Sequence, residues 1–269
     1  MNYGLNLLAK FWGRRDLIFL LSRREIDLRY KGAGLGVAWA VISLLMQFLI
    51  YIFVFGFIFQ VRWSGGADTD LADYALILFT GLVCFSVFSE TISRVGSSII
   101  SAPYLVKKIL FPVELLPIAS LLSALFHAGV GLILIIGAVL IKGEVIPWTI
   151  ILLPFVLLPL LFFTLGLAWL FAAIGVFIKD TQFLSALLVQ LLFYATPIIY
   201  PLALVPENFR DILLFNPLTH IVEMFRQVVL LGQIPMISTW LSLLLACLLV
   251  SVVGYYLFNR MKPEFADVI

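Results

Sequence analysis

Among the side chains of this sequence that can hold a charge or move a proton, four groups stand in or beside apolar runs. Glu90 and Arg94 stand four residues apart inside an apolar run, and His127 lies in the next run. Glu223 and Arg226 stand three apart after Asn216-Pro217, while Lys107 and Lys108 sit in a basic stretch interrupted by Pro103, Pro112 and Pro117. An ionisable group in apolar surroundings is costly unless partnered, so each is a candidate gate contact, ion relay or acid-base residue. The i,i+4 spacing of Glu90 and Arg94 places them on one helix face, where they neutralise each other and Arg94 can extend to the surface. His127 has no acidic neighbour on its own face and reads as a packing residue. Glu223 and Arg226 share a face at i,i+3, and their pairing lessens the cost of partial burial.

Motifs that would let the chain power its own chemistry are missing. There is no G-x-x-x-x-G-K-[ST] phosphate loop, no H-E-x-x-H and no G-x-S-x-G, so neither ATP hydrolysis, metalloprotease chemistry nor serine hydrolysis is encoded here. Cys84 and Cys247 lie in apolar runs without metal-ligand spacing and read as small core hydrophobes. No metal site, no cofactor and no nucleic-acid partner is expected of the chain. Active transport would therefore draw on an ion gradient or on a separate energy-supplying subunit. Gradient-driven carriers display buried carboxylates and repeated interrupted helices, and the apolar runs here hold almost no acid beyond Glu90.

The elements that must position these residues are membrane spans. Hydrophobic residues make up 63% and charged residues 12%, against about half and about a quarter in soluble domains, and the mean hydropathy is +1.15. This predicts an all-α polytopic membrane protein, one permease-like domain over 1–269. No signal peptide is evident, so the N-terminus is expected to be retained. Runs long enough to cross the hydrocarbon core, about 20 residues each, occur near 35–60, 74–99, 115–141, 145–178, 183–203 and 238–259. Pro154 and Pro159 could split the fourth run, but Lys and Arg concentrate on cytoplasmic loops, and charge argues for keeping it whole. Six spans with both termini inside put Lys10, Arg14, Arg15, Arg23, Arg24, Arg29, Lys31, Arg94, Lys107, Lys108, Lys179, Arg260 and Lys262 in the cytoplasm. Only Arg62, Lys142, Arg210 and Arg226 remain outside.

Residues 11–31 read as an amphipathic interfacial helix. Leu17, Leu20, Leu21 and Leu28 form its apolar stripe, and Arg23 with Asp27 and Glu25 with Arg29 form i,i+4 pairs. Residues 103–113 form a cytoplasmic loop carrying a short surface helix from Tyr104, through Leu105, to Leu110. Residues 202–235 carry too much charge to span and are broken at Asn216-Pro217, which predicts two short helices dipping into the outer leaflet or capping a cavity. Aromatic residues are dense in the first and fourth runs, and stacked rings could let a glycan slide without holding it.

Four collinear blocks carry a resemblance: RYKGAGLGVAWAVISLL (Arg29 to Leu45), LVKKILFPVELLP (Leu105 to Pro117), FIKDTQFLSALLVQLLFYATPIIYP (Phe177 to Pro201) and NPLTHIVEMFRQVVLLGQIP (Asn216 to Pro235). Together the chain resembles the membrane subunit of bacterial ABC-type polysaccharide exporters, which move O-antigen, capsule or teichoic-acid chains. Lys179 stands where many relatives have arginine, and the charge is kept. The resemblance implies a homodimer of six-span subunits in the bacterial cytoplasmic membrane, bound to two copies of a nucleotide-binding subunit that holds ATP and Mg. It implies that Arg23, Arg24, Tyr104, Leu105, Lys107 and Lys108 meet that ATPase, and that Asn216, Pro217, Glu223 and Arg226 belong to an outer gate. Tyr51, Phe55, Phe59, Trp169 and Tyr194 are the channel aromatics expected at the dimer axis, and membrane lipids and a lipid-linked glycan are the other expected partners. The alternatives are a permease for drugs or lipids, a gradient-driven flippase, and an intramembrane enzyme using His127 or Glu90.

Overall fold

The computed structural model describes residues 13–30, 34–36, 38–58, 71–101, 104 and 111–268, and the regular structure among them is helical. The helices in chain order are α1 (Arg15–Tyr30), α2 (Ala38–Tyr51) running into a π-helical segment Ile52–Ile58, α3 (Leu71–Ser98), α4 (Leu115–Ile141) and α5 (Leu153–Phe177), entered through a 3-10 turn at Trp148–Leu152. They continue with α6 (Thr181–Tyr194), α7 (Glu207–Phe215), α8 (Pro217–Arg226) extended by a π-helical turn Gln227–Leu231, α9 (Ile237–Met261) and α10 (Phe265–Val268).

Backbone groups in hydrocarbon must be satisfied within their own segment, which makes helices of these apolar runs. Among the described residues, five stretches are long and apolar enough to cross a membrane: Ala38–Ile58, Leu71–Ser98, Leu115–Ile141, Trp148–Phe177 and Ile237–Glu264. The fourth run stays whole, with Pro154 in the first turn of α5, where its missing N–H costs nothing, and Pro159 accommodated inside the helix. The expected fifth span, 183–203, is shorter than the run suggested. Helix α6 has 14 residues and ends at Tyr194, giving about 21 Å of rise against the roughly 30 Å hydrocarbon core. Pro197 removes a backbone donor and disfavours helical backbone at Thr196, so the chain leaves the helix there.

Helix α3 is the centre of the bundle. Of its apolar window 72% is buried inside the chain, against 6% for the α2 stretch, and α4, α5, α6 and α8 all pack on it. Lipid tails offer no hydrophobic drive between helices, so close backbone approach supplies the packing. One such close crossing joins α5 to α9 at Gly166 and Gly254, where a Cβ on Gly254 would overlap the Gly166 carbonyl and lie 2.9 Å from its Cα. Gly254→Val is expected to cost about 1–3 kcal/mol by overpacking, measured as a lower unfolding temperature of the purified chain.

The bundle has two chemically distinct ends. At one, the Lys142 ammonium bridges Asp73 at the start of α3 and Glu144, and these carboxylates push the Lys142 pKa up to about 12. At the other, Glu114 ahead of α4 meets Lys262 after α9 and Arg14 ahead of α1. Helix α1 lies against α4 at this second end. Its buried face is not the expected leucine stripe: Leu17, Ile18, Leu21 and Ser22 face the bundle, while Leu20 and Leu28 are exposed. Ser22 tolerates burial because its hydroxyl donates to the Ile18 carbonyl at 2.8 Å, and the helix is rotated so that Arg29 also points inward.

Candidate functional site

Arg29 reaches from the last turn of α1 to Glu90 in α3, with Nη1 2.5 Å from Oε2 and Nη2 3.3 Å from Oε1. The same Nη1 stands 2.8 Å from His127 Nδ1 in α4. Guanidinium can only donate, so Nδ1 accepts and the imidazole carries its proton on Nε2; the 3.2 Å approach of Nδ1 to Glu90 Oε2 is then a close neighbour rather than a second ion pair. This corrects two expectations. Glu90 is not paired with Arg94 along its own helix, and His127 is not isolated, because packing of α1 across α3 and α4 brings in a cation sixty-one residues away in sequence. Arg29 is thereby also drawn from Glu25, its expected i,i+4 partner. Instead Glu25 lies in the field of Arg94 and Arg24, while burial, the dominant influence, raises its pKa above the usual carboxylate range. With both Glu90 oxygens and His127 Nδ1 engaged by one arginine, neither residue is a free base, which argues against intramembrane acid-base chemistry.

A second charged cluster, which sequence reading missed, lies at the opposite end of α1, where α4 begins. Glu114 is 1% exposed, its Oε2 accepts from Lys262 at 2.7 Å, and its Oε1 lies 3.8 Å from Arg14 Nη1. Its backbone carbonyl accepts the Trp169 indole N–H at 3.1 Å. The cluster ties the entry to α1, the start of α4 and the end of α9 together. Its only sequence signal was an acidic residue next to a proline-rich boundary.

The expected coupling residues are placed in part. Arg23 is exposed, and the Arg24 guanidinium lies 5.6 Å from the centroid of the Tyr104 ring, a cation–π distance that places Tyr104 beside α1. Leu105, Lys107 and Lys108 lie outside the described residues, as does Phe59. Of the expected channel aromatics, Tyr51 and Phe55 stack at 6.1 Å, and Phe193 connects Tyr51 with the exposed Tyr194. Trp169 is corrected: it is 5% exposed, hydrogen-bonded to Glu114 and packed edge-on to Tyr255. Its role is to fasten α5 to its neighbours, because its indole found an interior acceptor.

At the Asp73 end, Asn216 does more than break the chain. Its Oδ1 accepts the Leu218 N–H at 3.1 Å and caps α8, with Pro217 at the first helical position. Its Nδ2 donates to Thr196 Oγ1 at 2.9 Å and to the Ala195 carbonyl at 3.2 Å, joining the end of α6 to the start of α8. Thr219 and His220 reach back to the Leu213 and Leu214 carbonyls that close α7. Arg226 is 2% exposed. Its Nε donates to the Ile77 carbonyl at 3.1 Å, Nη1 to Pro197 at 2.9 Å and Nη2 to Ile198 at 2.8 Å; Glu223 Oε2 stands 3.6 Å away. The sequence suggested a residue that governs closure more than folding. The fork of donors instead satisfies irregular backbone after α6, so Arg226 is first a structural staple. Gly81 is the sequence partner of this arrangement, since a Cβ there would come within 2.6 Å of Arg226 Nη2.

Several long apolar helices around a buried α3, with the charged groups gathered near the two ends, in the Arg29–Glu90–His127 cluster and at this stapled break, define a polytopic α-helical membrane protein. The chain belongs to the ABC-2 type transporter family, whose model matches residues 16–230. It is similar to an O-antigen export system permease protein RfbA of Klebsiella pneumoniae, 25% identical over all of this chain and 98% of the relative. A similarly named permease of Myxococcus xanthus is 26% identical over 98% and 99%. The polysialic acid transport protein KpsM of Escherichia coli is 26% identical over 80% and 81%.

Proposed function

We propose that this chain is the membrane-embedded half of an ATP-driven exporter that carries a lipid-linked polysaccharide across the bacterial cytoplasmic membrane. The single observation that carries this reading is end-to-end similarity to permeases named for O-antigen export, joined to a sequence without a phosphate loop. ATP and Mg are then held by a separate nucleotide-binding subunit, and the chain itself has no catalytic role. The Glu114 end faces the cytoplasm. There α1, docked through Arg29 and Leu21, and the 103–113 loop beside Arg24 meet the ATPase. Six crossings are completed by α6 together with the irregular segment to Pro201, and α7–α8 dip into the outer leaflet as a gate stapled by Arg226 and Asn216.

A homodimer with two ATPase copies fits the distribution of burial. Helix α2 and the solvent side of α6, with Phe183, Leu187, Leu191 and Tyr194 exposed, give the second copy and the lipid their surfaces, and Tyr51, Phe55 and Tyr194 then flank the path. Cysteines placed at Lys142 and Asn208, in a background lacking Cys84 and Cys247, are expected to react with an impermeant thiol reagent from outside. Lys179→Cys is expected to stay protected in intact cells, and its labelling would overturn six spans.

The export reading is tested by deleting the coding gene in its host. Glycan should still be synthesised but remain on the cytoplasmic side, and inactivating the partner ATPase should reproduce the phenotype. Normal surface glycan in the deletion strain would reject the reading.

A further inference from the structure

We propose that the cleft between α1, the last turns of α3 and the first turns of α4 binds the phosphate of a lipid in the cytoplasmic leaflet. The proposal deepens the exporter reading and rests on it only for the side of the membrane. The cleft has a volume of about 440 Å³, within the roughly 300–1,000 Å³ range of small-molecule sites.

Helical spacing builds its two walls. On α1, Leu21, Arg24 and Leu28 recur at three and four residues, and Arg94 and Ser97 on α3, with Ser101 in the turn that follows it, do the same, so the two sets face each other across the cleft. Arg24 and Arg94 bring charge from opposite sides. Arg29 also borders the cleft but is committed to Glu90, which makes it wall rather than ligand. Glu25 is the acidic member of the lining, and one carboxylate against Arg24 and Arg94 leaves the cleft with a net positive charge. Among the described residues Arg94 makes no ion pair within 4 Å, although it is half-buried. A partly desolvated guanidinium is stabilised by an anion that accepts its fork of donors, and phosphate oxygens match that fork.

The apolar part of the lining selects an amphiphile. Leu21, Leu28, Leu116 and Ala119 stand beside the charges, and Leu28 is exposed. Phosphate between arginines with hydrocarbon along leucines is the chemistry of a prenyl diphosphate or of an anionic phospholipid. A free inorganic phosphate would leave the leucine wall unused.

The test is direct binding of radiolabelled farnesyl diphosphate to the purified full-length chain in detergent, with farnesol as the phosphate-free control. Arg24→Gln combined with Arg94→Gln is expected to weaken diphosphate binding tenfold or more, while farnesol binding is weak in both proteins. Arg94→Lys keeps the charge and is expected to retain most of the affinity, which separates loss of a site from loss of fold. Phosphatidylglycerol in mixed micelles distinguishes the sources. Displacement at equal concentration assigns the site to bulk anionic headgroups, and failure to displace assigns it to the diphosphate end of a prenyl-linked substrate; either supports a lipid-phosphate site. Equal diphosphate binding by wild type and the double variant, or farnesol binding as tight as diphosphate, would overturn it. So would a double variant that binds diphosphate normally but no longer holds the ATPase subunit, because the cleft would then be a protein-docking groove. Binding is read without transport or hydrolysis, so its failure leaves the exporter reading standing.

Discussion

Arg226→Met is expected to strip the chain of a stable fold rather than produce an open gate. The guanidinium donates to three backbone carbonyls while 2% exposed, and two of them, on Pro197 and Ile198, belong to non-helical backbone between α6 and α7. Leaving a buried acceptor unsatisfied costs about 1–3 kcal/mol, and no water is at hand in a bilayer to replace the donor. The combined loss is on the order of 4 kcal/mol, a large part of a typical domain's stability. Low membrane yield and a sharply lower unfolding temperature in detergent are the expected readouts. Arg226→Lys should recover only part, because one ammonium cannot span three carbonyls on two segments. Glu223→Gln should change little, since Glu223 is half exposed and exposed pairs contribute modestly. An Arg226→Met protein with wild-type stability and raised ion leak would restore the gate role.

Glu90→Gln and Arg29→Gln are expected to impair transport with a smaller effect on folding. The pair holds the end of α1 against α3, and in the exporter reading that contact carries force from the ATPase to the central helix. Its members are 25% and 21% exposed, so solvent weakens the bond. We assign the pair about 1–2 kcal/mol, between an exposed salt bridge and a buried charge-assisted hydrogen bond. Single variants should continue to bind the ATPase but hydrolyse ATP with export reduced roughly tenfold, in keeping with that energy. The double variant should be scarcely worse than either single one, because both remove one interaction. Additive losses, or singles exporting at wild-type rates, would show that α1 is held by Leu17, Ile18 and Leu21 alone.

Much of the architecture was legible because apolar run length is a direct consequence of hydrocarbon thickness. Five runs became the five long helices, and the charge distribution correctly kept Trp148–Phe177 in one piece. The fifth run misled because composition does not register what Pro197 does to backbone hydrogen bonding, so α6 stops after 14 residues. The charged residues were singled out from sequence, but their partners were not. Spacing along one helix offers Arg94 to Glu90, whereas packing of α1 and α4 against α3 supplies Arg29 and His127, and nothing local encodes an approach across that separation. Glu114 was missed and Trp169 misplaced for the same reason: each is defined by a partner on another element. Asn216-Pro217 was read correctly as a break, yet its side-chain bonds to Ala195 and Thr196 became visible only in three dimensions.

The most direct measurement reconstitutes this chain with its nucleotide-binding subunit in sealed proteoliposomes and follows a lipid-linked polysaccharide to the opposite face, where a membrane-impermeant glycosidase can cut it. ATP on the ATPase side should make the glycan accessible, an uncoupler should leave the rate unchanged, and a phosphate-loop lesion in the ATPase should abolish translocation. Translocation that persists without ATP and collapses with the uncoupler would contradict the account and identify a gradient-driven flippase.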